Sequence, residues 1–153
     1  MPGRFNAYSD RAKRVLALAQ DEVREFGQDA IGPEHLLLGV LCAGAGDPKG
    51  SGSVGDVLNS LGVDLGKARA ALEALGGRAD PKPHLDEIRL SFTPEGEKVI
   101  DLAVNEAKLL QDEMVTPKHL LLAVLREPGK AEGVLQSFGL SPMTVRQRVI
   151  VSQ

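Results

Sequence analysis

The stretch IGPEHLLLGVL at residues 31–41 returns as VTPKHLLLAVL at residues 115–125, which is 84 positions further along the chain. At the same offset residues 8–41 align with residues 92–125 without a gap, and eleven of the 34 aligned pairs are identical. Several of the other pairs exchange one apolar residue for another. Self-similarity at a fixed offset is typical of an internal duplication. The chain is therefore predicted to contain two copies of one repeat.

The second half of each repeat matches at a shorter offset of 77 residues, which pairs Val57-Leu58 with Val134-Leu135 and Arg69 with Arg146. The first copy therefore contains 84 minus 77, or seven, additional residues, and they fall within residues 43–53. This segment is rich in glycine, so we expect a long surface loop between the second and third helices of the first copy.

Apolar residues recur in both copies at the spacing of one helix face. Helices are expected at about residues 10–26, from 33 onward, at 54–61 and 65–75, and then from 94 onward, from 117 onward, at 131–138 and at 142–151. Ser9 and Thr93 are the expected N-caps of the first helix of each copy. The second helix is apolar nearly all round, so it should be the buried centre of each repeat. The prediction is an all-α fold of about eight helices, arranged as two four-helix repeats related by a pseudo-twofold axis.

The expected organisation is one compact domain with an N-terminal extension at residues 1–8, a first repeat at 9–75, a linker at 76–91 and a second repeat at 92–151. The linker contains two adjacent glycines and two prolines, which interrupt helices.

Composition narrows the class of protein. Hydrophobic residues make up 42% and aromatic residues 3%, so the core must be aliphatic. A net charge of −3 gives no overall basic surface for nucleic acid, and Arg11, Lys13 and Arg14 are expected on the solvated side of a helix.

No stretch is apolar enough for a signal peptide or a membrane span, so we expect a cytoplasmic monomer that binds neither membrane nor nucleic acid. Cys42 has no partner for an intrachain disulfide and is expected to be buried.

No arrangement of nucleophile, base and metal ligands is evident, so neither enzyme activity nor a cofactor is expected. His35 and His119 occupy equivalent positions. Neither has a second His, Cys or well-oriented carboxylate at helical spacing, so a packed, hydrogen-bonded histidine is favoured over a metal ligand.

Residues Ser9–Gln20, SDRAKRVLALAQ, together with Ile31–Leu41, closely resemble the Clp N-terminal repeat, with which ClpC- and ClpA-type AAA+ unfoldases begin. The second copy resembles it from Phe92-Thr93-Pro94 onward, and the resemblance covers roughly residues 8–151. It implies an eight-helix domain that docks substrates and adaptor proteins for an unfoldase ring feeding a protease. With 153 residues there is no room for an ATPase module, so we expect a stand-alone domain.

The resemblance also implies a ligand site. In ClpC-type domains the acid of a Gly-Thr-Glu-His motif, present once per repeat, recognises phosphorylated arginine. A carboxylate can pair with a guanidinium through two hydrogen bonds, and the helix N-terminus favours the phosphate. Glu34 matches the first acid, whereas Lys118 occupies the second position and cannot accept hydrogen bonds. Pro33 and Pro117 replace the motif threonines, which removes a hydroxyl and an N–H from each site.

Alternatives remain for each candidate. Glu34 either contacts a ligand or only stabilises its own helix as a first-turn acid. Lys118 opposes the dipole of its helix, and either serves an acidic partner or reflects drift after loss of a site. Tyr8 and Phe92, at equivalent positions, either fix the entry of each first helix as hydrophobic staples or anchor a peptide or hydrophobic ligand between the copies.

The function predicted from the sequence is non-catalytic binding of a protein or peptide, which would be a Clp ATPase, an adaptor or a client. The alternative is a protein that binds a hydrophobic, peptide-like small molecule and so protects a Clp unfoldase.

Overall fold

A computed structural model describes residues 6–44, 53–76, 91–127 and 129–151. Within them the chain forms helices α1 (Asp10–Glu25), α2 (Pro33–Ala43), α3 (Val54–Ser60), α4 (Leu65–Ala74), α5 (Pro94–Leu109), α6 (Pro117–Arg126), α7 (Lys130–Ser137) and α8 (Pro142–Val151). The prediction of an all-α fold with eight helices in two sets of four is confirmed. Most of the predicted loop and linker, and the start of the N-terminal extension, lie outside the described residues.

The predicted caps begin the first helix of each repeat. The Ser9 hydroxyl oxygen accepts a hydrogen bond from the backbone N–H of Ala12 at 3.1 Å, and Thr93 accepts one from Gly96 at 3.0 Å. These bonds satisfy N–H groups that have no partner inside a helix. The start of each repeat is thereby fixed by its own sequence.

Helices α2 and α6 form the centre of the molecule, as the apolar pattern predicts. The leucine triplets Leu36–Leu38 and Leu120–Leu122 are fully buried. Helix α2 contacts α1 and α3 to α7, so it packs against helices of both repeats. Burying apolar surface on all sides of a helix is the main source of its stability. The two repeats therefore share one core.

Two short backbone pairings cross between the repeats. The segment that leads into α1 pairs with the segment before α6, through the parallel bridge between Tyr8 and Val115. The segment that leads into α5 pairs in the same way with the segment before α2, through Phe92 and Ile31. In each pairing the backbone hydrogen bonds measure 2.8–2.9 Å. The donors in the first pairing are the backbone N–H groups of Ser9 and Val115. These reciprocal bridges follow the pseudo-twofold axis and join the repeats through their backbones.

Each repeat also buries one glutamate. The carboxylate of Glu22 on α1 accepts two hydrogen bonds from Arg69 on α4, at 2.9 and 2.5 Å. The equivalent Glu106 on α5 is held by Arg146 on α8 and also by Arg126 on α6. Burial alone would raise the pKa of Glu106, but the hydrogen bonds from Arg146 and Arg126 outweigh it, so the pKa lies below its usual value. These ion pairs connect the last helix of each repeat, α4 or α8, to its first helix, α1 or α5.

Helices α1 and α5 end on the same left-handed turn but with different residues. Gly27 has φ +68°, whereas the equivalent Gln111 has φ +60°. Gln28 and Asp112, one residue further on, both donate backbone hydrogen bonds back into their helix. A side chain at positive φ is strained, and glycine is not. The second repeat therefore has a strained helix end where the first has none.

Gln111→Gly should raise the free energy of unfolding by about 0.5–1 kcal/mol. Relief of left-handed strain contributes about 1–2 kcal/mol, and the greater freedom of glycine in the unfolded chain offsets about 0.5–1 kcal/mol of it. Urea denaturation measures the change. Gly27→Ala is the matched variant and should destabilise the protein. A neutral or destabilising effect of Gln111→Gly would contradict the assignment of strain.

Candidate functional site

The motif histidines cap the N-termini of α2 and α6. His35 Nδ1 accepts the backbone N–H of Gly32 at 2.9 Å, and His119 Nδ1 accepts that of Thr116 at 2.8 Å. A side chain at the third helical position thus satisfies the backbone of the N-cap residue, as Glu does in a capping box. The histidines are structural in both repeats and orient the residues beside them.

The two histidines differ in the hydrogen bonding of their second ring nitrogen, Nε2. Because Nδ1 accepts, the proton of a neutral ring lies on Nε2. His119 Nε2 donates to the carboxylate of Asp112 at 2.7 Å, and Asp112 also pairs with Lys118 at 3.4 Å. The residue equivalent to Asp112 is Gln28, and His35 Nε2 is buried without a hydrogen-bond partner among the described residues. The second repeat therefore carries a local network that the first lacks.

Burial favours the neutral form of both rings. It lowers the pKa of His35 against the opposing charge of Glu34. It also lowers the pKa of His119, even though the hydrogen bond to Asp112 acts in the opposite direction. The bond from His119 and the charge of Lys118 in turn lower the pKa of Asp112, although its partial desolvation opposes them. The carboxylate of Asp112 is thus held in its charged form between two donors.

A cleft, here called the first cleft, opens beside Glu34. It has a volume of about 370 Å³ and lies where the start of α2 meets the starts of α5 and α7. Glu34 and Glu95 line it together with Lys130, and Pro33, Gln28 and His35 complete the wall beside α2. Both glutamates occupy the second position of their helices. Two glutamates from different repeats therefore line one cavity.

A second cleft, of about 460 Å³, occupies the equivalent place in the other repeat. It lies where the start of α6 meets the start of α1, the end of α2 and the start of α3. Arg11 and Lys118 line it together with Asp10, and Pro117 contributes to its wall. Arg11 and Lys118 are again the second residues of their helices, α1 and α6. The two clefts are built alike but carry opposite charges.

The structure places four of the six candidate residues in these clefts. Pro33 and Glu34 line the first cleft, and Pro117 and Lys118 line the second. Tyr8 is only 1% exposed, and its hydroxyl donates to the carbonyl oxygen of Ile100 in the other repeat at 3.0 Å. The structure thus leaves Tyr8 almost no surface for a ligand. Phe92 is partly buried and packs against the core.

Sequence reasoning missed the residues that complete each cleft. Arg11 was expected on the solvated side of its helix, although it lines the second cleft, and Glu95 was not among the candidate residues. Their common signal was available, since both lie at the 84-residue offset and their charges are inverted just as those of Glu34 and Lys118 are. The expectation that Cys42 is buried is wrong, because it lies in the last turn of α2 and is only partly buried.

In the described part of the chain, no group of three or more His, Cys, Asp or Glu side chains is placed to hold a metal ion. No helix there is long and apolar enough to cross a membrane.

The family model of the Clp repeat N-terminal domain matches residues 7–138. The chain belongs to this family. The resemblance noted in the sequence is confirmed, and the chain is a Clp N-terminal domain similar to those of ClpC- and ClpA-type proteins.

Relatives of this chain include plant Clp proteins. The chain is 35% identical over 147 residues to the chaperone protein ClpC2, chloroplastic, of Oryza sativa subsp. japonica, which is 95% of this chain and 15% of that relative. It is 34% identical to the ATP-dependent Clp protease ATP-binding subunit ClpA homolog, chloroplastic, of Brassica napus, of which it covers 16%. The Clp N-terminal domain thus spans about 15% of the length of these relatives. Their names place them in the chloroplast, whereas a cytoplasmic location for this chain stays a prediction.

Solved structures share the fold. The N-terminal domain of ClpD from Arabidopsis thaliana superposes with a TM-score of 0.76 at 22% identity, covering 96% of this chain and 94% of that one. The Hsp104 N-terminal domain from Candida albicans gives a TM-score of 0.71 at 14% identity, covering 95% and 90%. At these identities the likeness establishes the fold alone.

Proposed function

We propose that this Clp N-terminal domain is a non-catalytic module that docks peptides, adaptors or clients for a Clp ATPase. Membership of the family supports this role. In addition, a relative that is 34% identical to this chain is named as the ATP-binding subunit of an ATP-dependent Clp protease. The observation that carries the proposal is the first cleft, where Glu34 and Glu95 face one cavity. A cavity with two carboxylates suits a cationic side chain.

The ligand group we propose for the first cleft is the guanidinium of an arginine. Its planar donors match a carboxylate through two parallel hydrogen bonds, and Glu34, which lines the cleft, can offer such a carboxylate. Glu95, from the other repeat, can pair with the remaining N–H groups. Lys130 lines the same cavity and suits an anionic group attached to the guanidinium or next to it. An arginine, phosphorylated or beside an acidic residue, therefore fits the charges present.

The motif prolines weaken the phosphate part of such a site. Pro33 has no backbone N–H, and the N–H of Gly32 is already donated to His35. The start of α2 therefore offers a phosphate fewer donors than an unmodified helix N-terminus would. Recognition by this cleft should depend more on the guanidinium than on the phosphate.

The second cleft should not bind arginine. Lys118 stands where Glu34 stands in the first repeat, and an ammonium repels a guanidinium and cannot accept its hydrogen bonds. We therefore expect one arginine site per chain.

Calorimetry with an arginine-containing peptide and with phosphoarginine tests this proposal. We expect one site per chain, and Glu34→Gln should weaken it about tenfold or more, because a hydrogen bond to a charged group is lost. The matched control is Glu113→Gln, which removes an exposed carboxylate that lines neither cleft and should leave the affinity unchanged. Two equal sites would contradict the asymmetry, and no heat with either ligand would refute arginine recognition.

The wider role is tested by co-precipitation with the full chain under stress. We expect a Clp subunit, an adaptor or a client to be recovered with it, and recovery of none of these would refute docking.

A further inference from the structure

We propose that the second cleft binds a carboxylate side chain of an acidic peptide segment. The cavity is the larger of the two clefts, at about 460 Å³, and Arg11 and Lys118 reach it from different repeats. The proposal is independent of arginine binding in the first cleft, since it concerns other residues in the equivalent place.

The first argument is that the charge inversion is paired. At the 84-residue offset Arg11 corresponds to Glu95, and Lys118 corresponds to Glu34. One such change is readily explained by drift. In the second cleft, both lining residues at the second position of a helix are cations. In the first cleft, both equivalent residues are anions. The charge of each cleft is thus set jointly by two repeats that are distant in sequence.

The second argument is that the dipoles of their own helices do not favour the two cations. Arg11 and Lys118 lie in the first turn of α1 and α6, where the helix dipole favours an anion. Glu34 and Glu95 satisfy that preference at the equivalent positions of α2 and α5. Each cation in the second cleft therefore opposes its own helix. An anionic ligand in the cavity would be attracted by both side chains and by the positive ends of both helices.

The third argument concerns the carboxylates already present. Asp10 lines the second cleft, so its charged residues are two cations and one anion, the reverse of the first cleft with Glu34, Glu95 and Lys130. Lys118 pairs with Asp112 at 3.4 Å, and its side chain is 20% exposed. The pairing with Asp112 positions Lys118 at the cleft, and an ammonium, with three N–H donors, can bind more than one oxygen. Asp112 is itself shared with His119.

The fourth argument identifies the occupant as a peptide with an apolar residue near the acid. Val40, Ala43 and Val54 line the cavity beside the two cations. A wall of this kind accommodates an aliphatic side chain, whereas a free anion would leave it exposed to water. A glutamate next to a leucine therefore fits the cleft better than an isolated anion does.

Fluorescence anisotropy with the full chain tests the proposal. The probe is a labelled peptide of alternating leucine and glutamate, and the matched peptide has glutamine in place of every glutamate. We expect the glutamate peptide alone to bind, with an affinity that falls as salt is raised. Lys118→Gln and Arg11→Gln should each weaken it about tenfold or more. Glutamine is used because a carboxylate at position 118 would face Asp112.

Lys98→Gln is the matched control, because it removes an exposed cation of α5 outside both clefts. It should leave the affinity unchanged, and the unfolding transition of every variant shows whether it is folded. Chemical-shift changes on adding the peptide should centre on Ser9, Val54 and Thr116, which line the second cleft.

Several results would overturn the proposal. Equal binding of the glutamate and glutamine peptides would make the cleft an apolar site without charge selection. An equal loss in Lys98→Gln would make the attraction a property of net charge. Chemical-shift changes elsewhere, or no binding by the glutamate peptide, would show that the second cleft is not a site for an acidic peptide. None of these results affects arginine binding in the first cleft, which calorimetry measures separately.

Discussion

Leu37→Ala should lower the free energy of unfolding by about 2–5 kcal/mol. Leu37 is fully buried in α2, which packs against helices of both repeats. Truncation removes apolar contacts and leaves a cavity that a densely packed core can fill only in part. Because a domain of this kind is stable by about 5–15 kcal/mol, the loss would be visible as a large shift of the urea midpoint.

Two matched variants sharpen this experiment. Leu121→Ala makes the same change at the equivalent position of α6, which is also fully buried, and should cost a similar amount. Leu109→Ala truncates a leucine that is 67% exposed and should have little effect. If Leu37→Ala were no more harmful than Leu109→Ala, α2 would not be the centre of the shared core.

Arg69→Ala should destabilise the protein by about 3 kcal/mol, the lower end of the range for breaking a buried ion pair. It leaves the carboxylate of Glu22, of which 4% is exposed, without the arginine that donates both of its hydrogen bonds. The lower end applies because the Arg69 side chain is 44% exposed, so water can enter the space it leaves. Urea denaturation measures the loss.

The second repeat supplies the comparison for this prediction. Arg146→Ala removes the equivalent arginine but leaves Arg126 bound to Glu106, so it should cost less than Arg69→Ala. In the first repeat, adding Glu22→Gln to Arg69→Ala should recover part of the stability, because the buried charge is then gone. An equal loss in both repeats, or no recovery in the double variant, would show that the buried charge is not what is being measured.

Local features of the fold were predictable from the sequence. Ser9 and Thr93 cap their helices as expected, because a cap depends on residues three positions apart. The 84-residue offset also indicated the duplication and hence the pseudo-twofold arrangement.

Features that depend on how the repeats meet were not predictable in this way. The sequence suggested that Tyr8 either staples its own helix or anchors a ligand, but it did not indicate the hydrogen bond from the Tyr8 hydroxyl to the backbone carbonyl of Ile100 in the other repeat. The second charged wall of each cleft, Glu95 or Arg11, comes from a helix distant in sequence from the motif. Helical periodicity indicates which side of a helix faces inward, but not which partner it meets.

The reciprocal bridges have a consequence for the origin of the asymmetry. Each half of the chain contains both a leading segment, at Tyr8 or Phe92, and the segment that receives one, at Ile31 or Val115. Two identical halves could therefore exchange these segments and close as a symmetric homodimer. The chain has the geometry of such a dimer whose subunits have been fused. In a homodimer every substitution appears in both subunits, whereas fusion lets the halves diverge and form one acidic and one basic cleft.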